Sequence, residues 1–336
     1  MDCLLHFTLL TEKIPNRGED APPTLEVMDD DAGILAVYDG LGGSGSTPYQ
    51  IESGIGEKIT VTGAYLASRL AKEVTEQYFA AIVAVIAEVD TTTVEDTTDW
   101  GMGLENSLKV SFRAMTAELD PHTSKLKSRL LKRLPTTLAG IYFEQDAINR
   151  QLHTTSFWAG DSRVFFLEKS GLIQISQDDL NGNPDALENL KQDATIANCV
   201  NAEGNFNIRA IYHTIDEPCL LITATDGCFG YVASPAHFEY ILLKTLMESQ
   251  YDMEDWRDRL LESLLSITGD DMSMSLLAWG FRNLNEIKNY FYARYRFVYQ
   301  QFIQPIEKAD LESKADLLKQ LWAEYRQTYY LNNIVE

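Results

Sequence analysis

AGILAVYDGLGGSG, residues 32–45, runs from Ala32 to Tyr38 without a charge, meets Asp39, and passes into a glycine-rich turn. That length and apolar continuity predict a buried strand ending at a sharp turn. An aspartate delivered at the carboxyl end of a strand, followed by a glycine whose carbonyl can approach a cation unhindered, suits Asp39 and Gly40 to metal ligation. Taken alone, Asp39 reads as a turn residue. Gly40-x-Gly42-x-x-Gly45 also has the spacing of a dinucleotide fingerprint. Ser46-Thr47-Pro48 interrupts the helix that should open there, however, and Asp39 would point a negative charge at the pyrophosphate. No Gly-Lys-Ser/Thr follows, which excludes a Walker loop.

The same design recurs along the chain. Glu19-Asp20 lie in NRGEDA, Asp161 in FWAGDSRVFFL, Asp226-Gly227 at the end of LLITATDG, and Asp270-Asp271 at the start of GDDMSMSLLAWG. Burying an unpaired carboxylate is costly, so a fold that gathers several at its strand ends calls for a cation between them. Oxygen-only ligands select hard metals such as Mg²⁺ or Mn²⁺. The run Asp29-Asp30-Asp31-Ala32-Gly33 lacks the ligand spacing of an EF-hand, which sets a calcium module aside.

The order and wording of these five segments, spread over roughly the first four-fifths of the chain, resemble the metal-dependent protein phosphatases. These are the PPM or type 2C family of phosphoserine/phosphothreonine phosphatases, and this chain is similar to a bacterial form with a C-terminal helical extension. The resemblance implies an α+β fold: a four-layer α-β-β-α sandwich of two mainly antiparallel sheets flanked by helices. It implies two Mn²⁺ or Mg²⁺ ions bridged by Asp39, with Asp20, Gly40, Asp226 and Asp270 as further ligands and Glu19 acting mainly through water.

Asp161, in the family's tetrapeptide Gly160-Asp161-Ser162-Arg163, would hold a third, weaker ion, while Arg163 would support the fold through hydrogen bonds. Gly230 stands where that third site usually has another acid, and Asp271 where the family usually has Asn. The extra charge of Asp271 would either raise cation affinity or face solvent. The family commonly places a phosphate-binding Arg four residues before the Glu. Here that position is Pro15, with Lys13 and Arg17 nearby, and Arg17 is the candidate phosphate contact.

The implied reaction is in-line attack of a metal-activated water on a phosphate monoester, without a phosphoenzyme. Some members place a His acid directly after the Asp-Gly; this chain has Leu41, so water at the metal centre is the expected proton donor. The implied partners are phosphorylated Ser/Thr proteins and an opposing Ser/Thr kinase.

Composition narrows the classes independently. A net charge of −22 in 336 residues opposes general affinity for DNA, RNA or anionic membrane. Cys3, Cys199, Cys219 and Cys228 form no Cys-x-x-Cys pair, and the five His show no mutual metal spacing, so neither zinc nor a disulfide framework is signalled. The start MDCLLHFTLLTEK is too short and wrongly charged for a secretory signal, and no segment offers the about 18 apolar residues of a membrane span. A cytoplasmic location with reduced thiols is expected.

Helical periodicity is predicted from Ile59 to Val89 and from Leu104 to Leu119, separated by the polar DTTTVEDTTDWG. Strands are predicted at 137–144, 154–167 around a turn at Gly160-Asp161, 171–175, 207–215, 220–225 and 272–279, largely antiparallel because they do not alternate with helices. The Asp/Asn/Gly-rich run 177–207 is long enough for a lid. Residues 1–282 are expected to form the catalytic domain and 283–336 a helical extension with balanced charge, seven basic and seven acidic residues. Its aromatic stripe reads as packing against the domain. Lys125, Lys127, Arg129, Lys132 and Arg133 form the positive cluster of the chain, read as a solvated helix face or a dock for a phosphorylated partner.

Three rivals share these features. One is a catalytically silent, phosphatase-like regulatory binding protein, against which stand acids at every position of the two central metals. A second is a regulatory module in which the C-terminal helices recruit a partner. A third is a different phosphoester hydrolase using the same metals.

Overall fold

The computed structural model describes residues 4–29, 32–52, 58–88, 98–119, 132–182, 185–190 and 194–330. Lys125, Lys127, Arg129, His122, Cys3 and most of the polar linker after Val89 lie outside them. In chain order the strands are β1 (Leu5–Thr11), β2 (Thr24–Asp29), β3 (Ala32–Val37), β4 (Pro48–Glu52), β5 (Lys58–Thr62), β6 (Leu138–Asp146), β7 (Gln151–Ala159), β8 (Arg163–Glu168), β9 (Gly171–Gln174), β10 (Arg209–Ile215), β11 (Cys219–Ala224) and β12 (Met272–Trp279). They build one sheet ordered β1-β12-β11-β8-β9, a second ordered β10-β7-β6-β3-β2, and the hairpin β4-β5. Every pairing within these sheets is antiparallel.

The helices are α1 (Gly63–Glu88), α2 (Thr98–Leu119), α3 (Ala186–Asn189), α4 (Asp226–Phe229), α5 (Pro235–Glu248), α6 (Met253–Leu265), α7 (Leu284–Val298), α8 (Gln304–Lys308) and α9 (Lys314–Tyr329). A π-helical turn, Tyr299–Ile303, joins α7 to α8. Pro305 explains its place: proline has no N–H to give the carbonyl four residues back, so the ladder shifts just ahead of it.

Three apolar interfaces separate four layers. Ile34 and Ala36 of β3 face Leu66, Leu70, Leu108 and Phe112 of α1 and α2. Their neighbours Leu35 and Val37 face Val164, Leu221 and Leu277 of the other sheet. The continuous hydrophobicity of residues 32–38 follows from this, since an inner strand has no wet face. On the far side, Phe7, Phe165, Ile222 and Met274 pack against Phe238, Trp256, Ile287 and Phe291 of α5–α7. The α-β-β-α order implied by the resemblance is therefore the order found.

Two local expectations fail. Ile59 belongs to β5, and helix α1 begins only at Gly63. The spacing of Ile59 to Leu66 matches a helix, but β4 and β5 pair from Pro48–Thr62 to Glu52–Lys58 and take the residue into a hairpin. The acidic pair that the resemblance puts on a first strand, Glu19-Asp20, sits instead in the loop between β1 and β2, where Pro22-Pro23 removes two ladder donors in succession.

The starts of α5, α6 and α7 are set by side-chain caps. Ser234 accepts from the His237 N–H ahead of Pro235, Asp252 from Glu254 and Asp255, and Asn283 from Glu286. Trp322, Tyr325 and Tyr329 of α9 join the same outer core as α5 and α6. No described helix is long and apolar enough to cross a membrane.

A buried polar knot ties α5, α7 and α9. The Arg294 guanidinium donates twice to Glu239, at 2.7 and 2.9 Å, and Tyr325 Oη donates to the same carboxylate at 2.5 Å. Glu239 has no exposed surface. Arg294→Met is expected to cost ~3–5 kcal/mol of stability, because it strands a buried carboxylate. Urea unfolding would show this as a lower midpoint at unchanged slope; a loss under ~1 kcal/mol would mean that the Arg294–Glu239 pair contributes little to stability.

Candidate metal centre

Strand register brings the acids to one end of the sandwich. Ala224, two residues before Asp226, pairs with Arg163 of β8, two residues after Asp161, and with Met274 of β12, three after Asp271. In the second sheet Val37 pairs with Ala139, and the Asp39 carbonyl accepts from Thr137 N–H at 2.8 Å and Thr136 Oγ1 at 2.7 Å. Antiparallel pairing thus sets the exit of β11 beside the entries of β8 and β12 in one sheet, and the exit of β3 beside the entry of β6 in the other. The result is a cleft of about 690 Å³ whose lining includes Glu19, Asp20, Asp39, Asp226, Asp270 and Asp271.

The glycine after each aspartate has a packing role. A Cβ on Gly40 would stand 2.6 Å from the carbonyl oxygens of Ala64 and Glu19, and one on Gly227 would stand 1.8 Å from that of Asp271. Both Asp-Gly steps therefore let two backbone segments approach closely, which draws Glu19 and Asp271 toward the aspartates.

Asp20 is buried, and its Oδ2 accepts from Thr225 Oγ1 at 2.9 Å. Thr225 Oγ1 in turn accepts from the Ser273 N–H. Glu19 Oε1 accepts from Thr62 Oγ1 at 2.5 Å. Burial, and then the neighbouring carboxylates Asp20, Asp226 and Asp161, hold the Asp39 carboxyl well above its usual range; it is also hydrogen-bonded to Asp20, which burial likewise raises. Burial and then Asp270 push Asp226 up to about 6. Asp161 is raised by burial and then by Asp226 and Asp178, and its Oδ1 is buried without a hydrogen-bond partner.

Three residues behave differently from a simple ligand ring. Asp270 is exposed at the cleft rim, where its Oδ1 accepts from the Asp271 N–H. Both oxygens of Asp271 are engaged by backbone, from Lys13 N–H and Glu19 N–H, each at 2.7 Å. That clamp is a third outcome beside the two expected for its extra charge. It explains an acid in place of an amide, because an Asn would turn an NH₂ toward one of the two donors. Arg17 is exposed in the turn after β1 and is not part of the cleft lining.

Arg163 lies buried under the site. It forms a double hydrogen bond with Asp178 at 2.9 and 2.6 Å, and reaches Tyr329 Oη at 3.4 Å. Sequence reasoning passed over Lys132 as a cleft residue, although it lines this cleft together with Ala194, Thr195 and Ile196 of the 177–207 run. Its only sequence signal was membership of the basic cluster.

Among the described residues, no three His, Cys, Asp or Glu side chains close tightly enough to encircle one ion. Donor chemistry decides the fit instead. The cleft presents oxygen ligands alone, four of its carboxyls and that of Asp161 are raised by burial and like charge, and Asp161 Oδ1 lacks a partner. A hard divalent cation suits such a set.

No protein-family model and no curated protein matches the chain. Several solved structures do. Stp1, a serine/threonine phosphatase from Staphylococcus aureus, aligns at TM-score 0.56 and 14% identity, over 83% of this chain and 96% of that one. A bacterial serine phosphatase aligns at 0.53 and 15%, over 82% and 98%. The catalytic domain of the serine/threonine protein phosphatase PstP, in complex with two manganese ions, aligns at 0.51 and 16%, over 82% and 97%. At these identities the likeness shows a shared fold.

A carboxyl whose folded pKa lies above its unfolded value stabilises the fold at low pH, and that contribution is lost as pH rises through the folded pKa. For Asp226 and Asp20 the loss falls between the ordinary carboxylate range and about pH 6 and about pH 7 respectively, and Asp39 shifts in the same direction. A bound divalent ion reverses the sign by favouring the charged form. The rise in Tm on adding Mn²⁺ to chelator-treated protein is therefore expected to grow by several degrees between about pH 5 and about pH 8. A rise that is absent or independent of pH would remove the metal from this cleft.

Proposed function

We propose that this chain is a metal-dependent phosphoserine/phosphothreonine protein phosphatase that uses a dinuclear-metal-activated water. The observation carrying the reading is that carboxylates from four separate segments line one cleft, in a fold shared with bacterial serine/threonine phosphatases, one of them solved with two manganese ions. Asp39, as the shared ligand, would hold the ions together with Asp20, Asp226, Asp270 and the Gly40 carbonyl, Glu19 would act through water, and Asp161 would serve a weaker third site. Mn²⁺ or Mg²⁺ bound there would acidify water and neutralise charge on phosphoryl oxygens.

The protein's own groups prepare that chemistry. Thr225 fixes the orientation of Asp20, and Thr62 that of Glu19. The Asp271 clamp fixes the Glu19 backbone beside Gly40. Leu41 follows Asp39-Gly40 in the cleft lining, so the departing seryl or threonyl oxygen would take its proton from water. Phosphorylated Ser/Thr proteins are the proposed substrates and a Ser/Thr kinase the opposing activity. Residues 1–282 are assigned as the catalytic unit, with 283–336 a helical extension that contributes to its outer core.

Phosphate release from a phosphothreonine peptide should require Mn²⁺ or Mg²⁺ and fall by about 100-fold or more in Asp39→Asn and Asp226→Asn, both folded by circular dichroism. A folded wild-type protein that releases nothing from several phosphopeptides would instead be the catalytically silent, phosphatase-like regulatory binding protein.

A further inference from the structure

A phosphate monoester carries close to two negative charges at neutral pH and must enter a cleft walled by carboxylates. A cation on the protein would add to the ions proposed above in drawing it in, and Arg17 does not line the cleft. Lys132 is the one basic side chain among the lining residues described. We propose that Lys132 contacts the substrate phosphate, a role that rests on the phosphatase reading above.

The backbone holds Lys132 at the mouth of Asp39. Leu41 N–H donates to the Pro135 carbonyl at 3.1 Å, Thr136 N–H to Val200 at 3.0 Å, and Ala202 N–H to Arg133 at 2.9 Å. Gly40 and Thr136, and Thr136 and Val200, also form antiparallel bridges. Residues 133–136 are thus stitched on one side to the turn after Asp39 and on the other to residues 200–202. This fixes the Cα of Lys132 beside the acids.

The side chain is oriented without being neutralised. Nζ donates to Cys199 Sγ at 3.1 Å, and burial raises the Cys199 thiol, which keeps it uncharged. A neutral sulfur is a weak acceptor, so it steers the ammonium and leaves its other donors and its charge for an anion. The neighbouring cations are spent: Arg133 pairs with Glu203 at 3.2 Å, and Arg163 with Asp178 at 2.6 Å. Lys132 lines the same cleft as Asp39 and as Thr195 and Ile196 of the 177–207 run.

The test is steady-state hydrolysis of a phosphothreonine peptide with Mn²⁺, inhibition by inorganic phosphate, and Mn²⁺ binding by calorimetry. Lys132→Met is expected to raise both KM and the phosphate inhibition constant about tenfold, the loss of one charge-assisted contact, while Mn²⁺ affinity stays equal or tightens. Lys132→Arg should restore most of the loss. Arg133→Met, which removes the same charge one residue away, should stay within about twofold of wild type.

Unchanged KM and phosphate inhibition in Lys132→Met would overturn the assignment, as would a fall in kcat alone or an equal effect of Arg133→Met. If wild type turns over no phosphoester, the phosphatase reading fails separately. Calorimetric titration of inorganic phosphate into the Mn²⁺-loaded protein then decides for Lys132: binding that is lost in Lys132→Met supports it, and no binding or equal binding refutes it.

Discussion

Mutual repulsion among carboxylates at one end of the sandwich is the constraint to which the surrounding structure answers. Asp39, Asp20, Asp226 and Asp161 each have their ionised form disfavoured by burial and by neighbouring acids. Left to itself such a cluster would spread or fill with water. It is held by rigid strand ends and by neutral donors: Thr225 on Asp20, Thr62 on Glu19, and two backbone N–H groups on Asp271. None of these donors carries a charge that would satisfy the acids permanently. The donor set leaves the charge of these acids uncompensated by salt bridges, and the metal reading proposed above starts from that imbalance.

Beneath the cleft the opposite solution is used. Asp178 is paired with Arg163, and Glu239 with Arg294, each in a fully protein environment. These acids are neutralised by side chains and serve the scaffold. The contrast separates structural from candidate functional carboxylates in a chain whose net charge is −22.

Much of this was legible in the residues. Inner strands such as β3 and β11 announce themselves because both faces are apolar, and they carry Asp39 and Asp226 at their ends. Elements with one wet face were harder to read. Strand β1 alternates buried and exposed residues and passed for a short apolar run, yet it closes one sheet against β12. Helices α5 and α6 carry their start signals in Ser234-Pro235 and Asp252, caps that stand outside any apolar periodicity. The roles of Asp271 and Lys132 were out of reach for another reason. Each depends on partners far along the chain, Lys13 and Glu19 for one and Cys199 for the other, and no periodicity encodes such a meeting.

Helix α9 has a bearing on how the protein is made. Its Trp322 donates to Asp185, the residue that caps α3, while Tyr330 Oη accepts from Ala186 and Tyr329 touches Arg163. The segment leading from Arg163 toward the cleft wall is therefore braced by residues that leave the ribosome some 140–165 positions later. Asp271, which anchors Glu19, emerges about 250 residues after the loop it clamps. During synthesis the acidic loop and the cleft wall must wait, unbraced, for their partners. Long-range closure of this kind slows folding and prolongs the exposure of unfinished sheet edges. A nascent chain halted before α9 would hold every acid assigned to the cleft and still lack the struts that settle its wall.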